Sequence, residues 1–165
     1  PCVRPSKRTL CTPIKAYPVY AHQKNNNMQF NFNENREVVA LLGAGSMGMA
    51  IVERVAANRI VLLGDISEKN LKASADRLRF SGYEVETMVV DGADKTSIEA
   101  FARRAAELGP VKHYIHTAGA SPHQTNPQHI IRLDLVGSAY ALDAFGEVMA
   151  RDGAGILSST LSSPI

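Results

Sequence analysis

The chain has 165 residues, 45% of them hydrophobic and 21% charged, which fits one globular domain with a real core and excludes a disordered or fibrous chain. No apolar run approaches the roughly 20 residues needed to cross a bilayer, so no membrane is expected as a partner, and a soluble, cytoplasmic protein is. The net charge of +2 is uneven: residues 1–27 hold Arg4, Lys7, Arg8, Lys15 and Lys24 and no acid, leaving thirteen basic against sixteen acidic residues, a net of −3, in the remainder. Such a body argues against nucleic acid as a partner.

Residues 1–27 show no apolar periodicity and contain prolines and the run Asn25-Asn26-Asn27. They read as a disordered tail ahead of a natural start at Met28, with a targeting peptide as the rival reading. The domain is expected to occupy 28–165. Both cysteines, Cys2 and Cys11, fall in the tail, so the body has neither a disulfide framework nor a cysteine metal site.

Val38–Leu42 is a short, wholly apolar run of the kind found in central parallel strands. A turn, Gly43–Gly48, and a helix over Met49–Ala57 follow. Arg59–Leu63 is a second strand, ended by Gly64-Asp65. Ser67 is placed to cap a helix over Glu68–Phe80, with Leu71, Ala75 and Leu78 on one face. Val85–Val90 is a third strand, ending at Asp91. Asp94 opens a helix reaching Leu108, with Ile98, Phe101, Ala102 and Ala105 inward, and Gly109-Pro110 stops it. Lys112–His116 is a fourth strand, leading into Thr117-Ala118-Gly119. After the polar loop Ser121–Asn126, Pro127 opens a long helix to about Met149. Gly153–Gly155 lead to a fifth strand, Gly155–Thr160, expected to be buried. Strands alternating with helices in this way predict an α/β fold, a doubly wound parallel sheet in three layers with right-handed crossovers. The chain stops five residues after that strand, which suggests a sheet incomplete at its C-terminal side, an exposed edge and poor solubility.

Gly43, Gly45 and Gly48 form G-x-G-x-x-G between a strand and a helix. In that context the first glycine allows the turn, the second lets a pyrophosphate approach the backbone, and the third lets helix and strand pack closely. Ser46 and Met47, in the same loop, are expected to hold the cofactor with the glycines, and the N-terminus of the helix that follows offers free N–H groups to the phosphates. Asp65 ends the second strand about twenty residues beyond Gly43, where an acid hydrogen-bonds the ribose hydroxyls of NAD and repels the 2′-phosphate of NADP. Ile66 follows it. NAD is therefore expected in preference to NADP. The bland alternatives are a structural glycine turn and a helix-capping acid.

Together these features resemble the short-chain dehydrogenase/reductase family over about residues 38–163. Asp91 with Gly92 stands where that family places an acid that contacts the adenine amino group. Thr117-Ala118-Gly119 is similar to its Asn-Ala-Gly motif. Asp134 occupies the position of an asparagine that helps hold a water in a proton relay, or is an outward helix residue. Gly155–Thr160 resembles the strand that delivers the catalytic serine. Thr160 aligns best without gaps, and Ser159 and Ser162 are close rivals. The resemblance implies a Rossmann-type fold and hydride transfer between nicotinamide and a small carbonyl or alcohol substrate, with homo-oligomerisation open to the full-length protein.

The departures are specific. Ser46 stands where the family's usual glycine pattern has its middle glycine. The family's Tyr-x-x-x-Lys, whose tyrosine protonates the carbonyl oxygen, has no counterpart after the fifth strand. The pair Tyr20 and Lys24 lies in the tail, and Tyr83, Tyr114 and Tyr140 are followed at the fourth position by Thr87, Ala118 and Ala144. The 165-residue chain is thus expected to be mainly the cofactor-binding part, inactive alone. Two other functions share its features: an S-adenosylmethionine-dependent methyltransferase, which also uses a glycine loop and acids like Asp65 and Asp91, and a non-catalytic NAD-binding module. No metal is expected. His113 and His116 alternate to opposite faces of one strand, and His123 and His129 read as surface residues within reach of a substrate.

Overall fold

A computed structural model of the protein describes residues 36–123 and 125–158. The division at Met28 and the proposed tail lie outside the described residues.

The described residues form one parallel sheet flanked by helices. β1 (Val38–Leu42), α1 (Ser46–Val55), β2 (Ile60–Asp65), α2 (Glu68–Phe80), β3 (Glu84–Val89), α3 (Lys95–Leu108) and β4 (Val111–His116) follow in chain order. Then come α4 (Pro127–Ile130), a π-helical stretch (Ile131–Gly137), α5 (Ser138–Val148) and β5 (Met149–Leu157). The strand order is β3-β2-β1-β4-β5, all parallel. The chain winds outward from β1 in one direction and then, from β4, in the other. The cleft at that reversal is where such sheets bind ligands.

Residue type explains the layers. All five residues of β1 are buried, because it is covered on both faces and both edges. Val38, Ala40 and Leu42 pack with Phe101, Tyr114 and Phe145 in one layer, and Val39 and Leu41 pack with Val52, Leu71 and Leu78 in the other. The Phe145 ring stacks on Tyr114 with centroids 3.7 Å apart and meets Phe101 edge-on at 5.8 Å. Ser67 caps α2 by accepting from Asn70 N–H, and Asp94 caps α3 by accepting from Ser97 N–H. No helix among the described residues is long and apolar enough to cross a membrane.

Three expectations need correction. First, α1 starts at Ser46, directly on the glycine loop. Second, the long helix is not uniformly α: it widens to a π-helix over Ile131–Gly137, a form that tends to occur at functional sites. Third, β5 begins at Met149 and is not buried, with Ile156 45% exposed. Among the described residues only β4 flanks it, so one edge has no strand partner. Its register also breaks: Val111 pairs with Met149 and His113 with Ala154, so residues 150–153 lie opposite Lys112 alone. Lys112 answers that bulge with ion pairs to Asp152 and, at 3.7 Å, to Glu37.

Phe145 ties α5 to the sheet. Its truncation, Phe145→Ala, is expected to cost about 3–5 kcal/mol of unfolding free energy, measured by urea denaturation of the full chain. A loss under about 1 kcal/mol would show that the aromatic stack is not a support of this layer.

Candidate functional site

Four strands end on one side of the sheet and bring their C-terminal loops together. A cleft of about 380 Å³ lies there, lined by Gly43, Gly45, Asp65, Ile66, Asp91, Gly92, Thr117, Ala118 and Gly119. Nine of the residues singled out from sequence thus share one cavity. A more voluminous cavity of about 550 Å³ lies between α3 and α5, but it is away from the strand ends and lined by mixed charges, including Lys95, Glu99 and Asp143. The chemistry-bearing loops converge on the former.

Each loop glycine has its own reason. Gly43 has φ +99°, and a Cβ there would sit 2.4 Å from the Ala118 amide nitrogen. Gly48 is buried where α1 crosses the loop, and a Cβ would meet Thr117 Oγ1 at 2.6 Å and Gly43 O at 2.7 Å. Gly45 is different: a Cβ would touch no protein atom within 4 Å. Fold packing explains the first and third glycines, while the middle one faces open space in the cleft. Ser46 and Met47 are exposed at the start of α1 and do not line the cavity.

α1 also differs from its neighbours at its N-terminus. Gly45 is its N-cap, with no side-chain cap and no acid in the first turn, whereas α2, α3 and α4 are capped by Ser67, Asp94 and Asn126. A helix start leaves free N–H groups and about half a positive charge. Here they stand beside the glycine with room around it, which suits an anion.

The two strand-end acids are held rigidly. Asp65 Oδ2 accepts from Ala44 N–H and Oδ1 from Ser67 N–H, both at 2.8 Å. Asp65 therefore braces the glycine loop and α2, and it lines the cleft as well. Asp91 Oδ1 accepts from Ala93 N–H at 2.8 Å, and its own N–H donates to Ser97 Oγ at 3.0 Å. Thr117 closes the ring by donating its hydroxyl to Gly43 O at 2.8 Å.

Asp134 is not the outward helix residue that the sequence allowed. It is 6% exposed, and its Oδ1 accepts from Ala120 N–H at 3.1 Å. The π-helical stretch that carries it packs against the loop after β3: a Cβ on Gly137 would lie 2.1 Å from Gly92 O. Ser159, Thr160 and Ser162 lie outside the described residues. Ser158 is described, and it donates its hydroxyl to Met47 Sδ at 3.4 Å, so the end of β5 reaches the glycine loop.

Sequence reasoning read Ser67 only as a helix cap and passed over Asn70 and Leu133; all three also line the cleft. Ser67 and Asn70 follow Asp65 so closely that the strand-end position alone could have pointed to them. His129 is exposed, as expected, and it lines the same cleft. His116 is fully buried, with Nδ1 2.7 Å from the Tyr114 hydroxyl. Burial lowers its pKa below the ordinary 6.5, against the pull of Ala118 and the Asp134 carboxylate. Among the described residues no group of three or more potential ligands could hold a metal ion.

With this geometry in view, relatives can be compared. No protein-family profile matches the chain. A short-chain dehydrogenase/reductase, bsc3 of Alternaria brassicicola, is 30% identical over 128 residues, covering 78% of this chain and 47% of its own length. The uncharacterized oxidoreductase YxbG of Bacillus subtilis is 28% identical over 116 residues, covering 68% and 42%. The chain belongs to the short-chain dehydrogenase/reductase family. It spans about half the length of the curated relatives it matches. A short-chain dehydrogenase/reductase structure from Serratia marcescens superposes with a TM-score of 0.63 at 18% identity, covering 74% of this chain and 54% of that one, which shows the shared fold. Family membership implies a nicotinamide cofactor, NAD or NADP, and these relatives lend no support to methyl transfer.

Two outcomes are expected from this geometry. Gly43→Ala should destabilise the fold by about 1–3 kcal/mol through the left-handed backbone and the Ala118 clash, whereas Gly45→Ala should leave the thermal midpoint within about 2 °C; equal losses would contradict the packing. The folded state also resists protonation of His116, so stability is fully present above about pH 6.5 and falls as pH drops through that value. His113, lowered by partial burial and Arg59, adds the same sign. His116→Asn should flatten the fall in urea midpoint between about pH 7.5 and 5.5, and an unchanged slope would assign it to other groups.

Proposed function

We propose that the cleft holds the nicotinamide cofactor and that this cofactor is NAD. The observation that carries the proposal is the uncapped start of α1 beside Gly45, where neither a side-chain cap nor a Cβ contact occupies the approach to the helix amides. Gly43, Gly45, Ser46, Met47 and Gly48 would cradle the pyrophosphate. Asp65, with Ile66 beside it, would take the adenosine ribose hydroxyls. Asp91 and Gly92 would flank the adenine, and Thr117, Ala118 and Gly119 would run along the cofactor towards the nicotinamide. A carboxylate at Asp65 disfavours a 2′-phosphate by charge, which supports NAD over NADP.

When bound, the cofactor supplies a hydride donor or acceptor. The described residues bind and orient it. For the whole protein we infer oxidoreduction of a small carbonyl or alcohol substrate, in the cytoplasm, with hydroxyls of the segment that follows β5 in sequence holding the substrate oxygen. Ser159 and Thr160 are the proposed substrate-holding hydroxyls there. Homo-oligomerisation is inferred from the family.

Calorimetric titration of the full chain with NAD, NADP and S-adenosylmethionine tests the assignment. NAD is expected to bind most tightly and S-adenosylmethionine not at all. Asp65→Asn should weaken NAD binding about tenfold or more, because a charged hydrogen bond is worth roughly 1.5–3 kcal/mol, and should narrow the gap to NADP. Tighter binding of NADP by the unaltered chain would overturn the role given to Asp65. Gly45→Ala should abolish binding while the fold persists.

A further inference from the structure

Beneath the cleft, Tyr114, His116 and Asp134 form a buried polar group that cofactor holding does not account for. Tyr114 is 1% exposed and its ring stacks on Phe145; among the described residues its hydroxyl has one hydrogen-bond partner, His116 Nδ1 at 2.7 Å. Burial drives the tyrosine away from ionisation, so it keeps its proton. A hydroxyl in such surroundings donates to the one acceptor in reach. Nδ1 is then the acceptor, and the neutral imidazole carries its hydrogen on Nε2.

That choice leaves a donor to be matched. His116 Nε2 and Asp134 Oδ2 are buried, and among the described residues neither has a hydrogen-bond partner. Each orphan destabilises the fold if it stays unpaired. One is a donor and the other an acceptor. They flank the same short segment: a Cβ on Gly119 would stand 3.3 Å from Asp134 Oδ1, and Ala120 N–H already donates to that oxygen. We propose that His116 and Asp134 are a coupled positioning pair, the Nε2–H of His116 serving the Asp134 carboxylate through a single water. The pair completes a hydrogen-bonded chain from Tyr114 to the Ala120 amide and fixes the Gly119–Ala120 edge of the cleft. It spares the buried carboxylate an unpaired oxygen and holds the π-helical stretch against β4.

Nitrogen-15 NMR of the full chain tests this without any substitution. His116 should show the neutral Nε2–H tautomer with a slowly exchanging ring N–H. In Asp134→Asn that N–H resonance should shift or be lost to exchange. A double-mutant cycle on urea unfolding adds an independent measure. His116→Asn and Asp134→Asn should each destabilise the fold, and the double variant should be less destabilised than the two effects combined, by roughly threefold or more in the unfolding constant. A protonated Nδ1, a fast-exchanging Nε2–H, a ring signal indifferent to Asp134→Asn, or additive losses would each overturn the coupling. Should a variant fail to fold, a protonated Nδ1 or a fast-exchanging Nε2–H in the unaltered chain would still overturn the proposal.

Discussion

The cleft depends on one backbone-to-backbone contact, the meeting of the glycine loop with the end of β4. The amides of Thr117 and Ala118 both donate to Leu42 O, at 2.8 and 3.0 Å, and the Thr117 hydroxyl donates to Gly43 O. Only a residue without a Cβ can lie against Ala118 there. The contact fixes where α1 begins and hence where its free amides point. It sits between β1 and β4, where the winding of the sheet reverses. The glycine loop from the first half of the chain and the Thr117–Gly119 segment from the second thereby share one rigid frame.

What was legible in the sequence was local. The apolar runs at 38–42 and 60–63 could only be buried strands, and Gly43, Gly45 and Gly48 lie close enough together to declare a turn feeding a helix. Ser67 and Asp94 announced α2 and α3 because a cap acts on amides three residues away. The strand-end acids followed once the strands were placed. A parallel sheet sets the loops after its first four strands side by side, and those loops line the cleft.

Long-range accommodation was not legible. The burial of Asp134 follows from the π-helical widening, which rests on Gly137 meeting Gly92 from another loop. Helical periodicity carries no trace of that contact. His116 looked like one of two histidines on opposite faces, and that alternation holds, but nothing in the strand pattern says that a tyrosine two residues earlier shares its proton. The bulge opposite Lys112 reflects ion pairing across three segments, among them Glu37 and Asp152. The Gly137–Gly92 contact and the Lys112 ion pairs join residues distant in the chain and become visible only when the fold brings them together.

The strand order also bears on how the molecule acquires its shape. β1 pairs on one side with β2, about twenty residues on, and on the other with β4, about seventy residues on, so the second closure costs about 1 kcal/mol more in chain entropy. The first three strands can associate from near neighbours. The β1–β4 seam, which sets Gly43 against Ala118, waits for the longer loop. A folding intermediate holding β1 to β3 would already carry the glycine loop without its counterwall. Such a species would hold the proposed cofactor weakly, and that cofactor, once bound to the finished cleft, would act as a thermodynamic lock on the last step of folding.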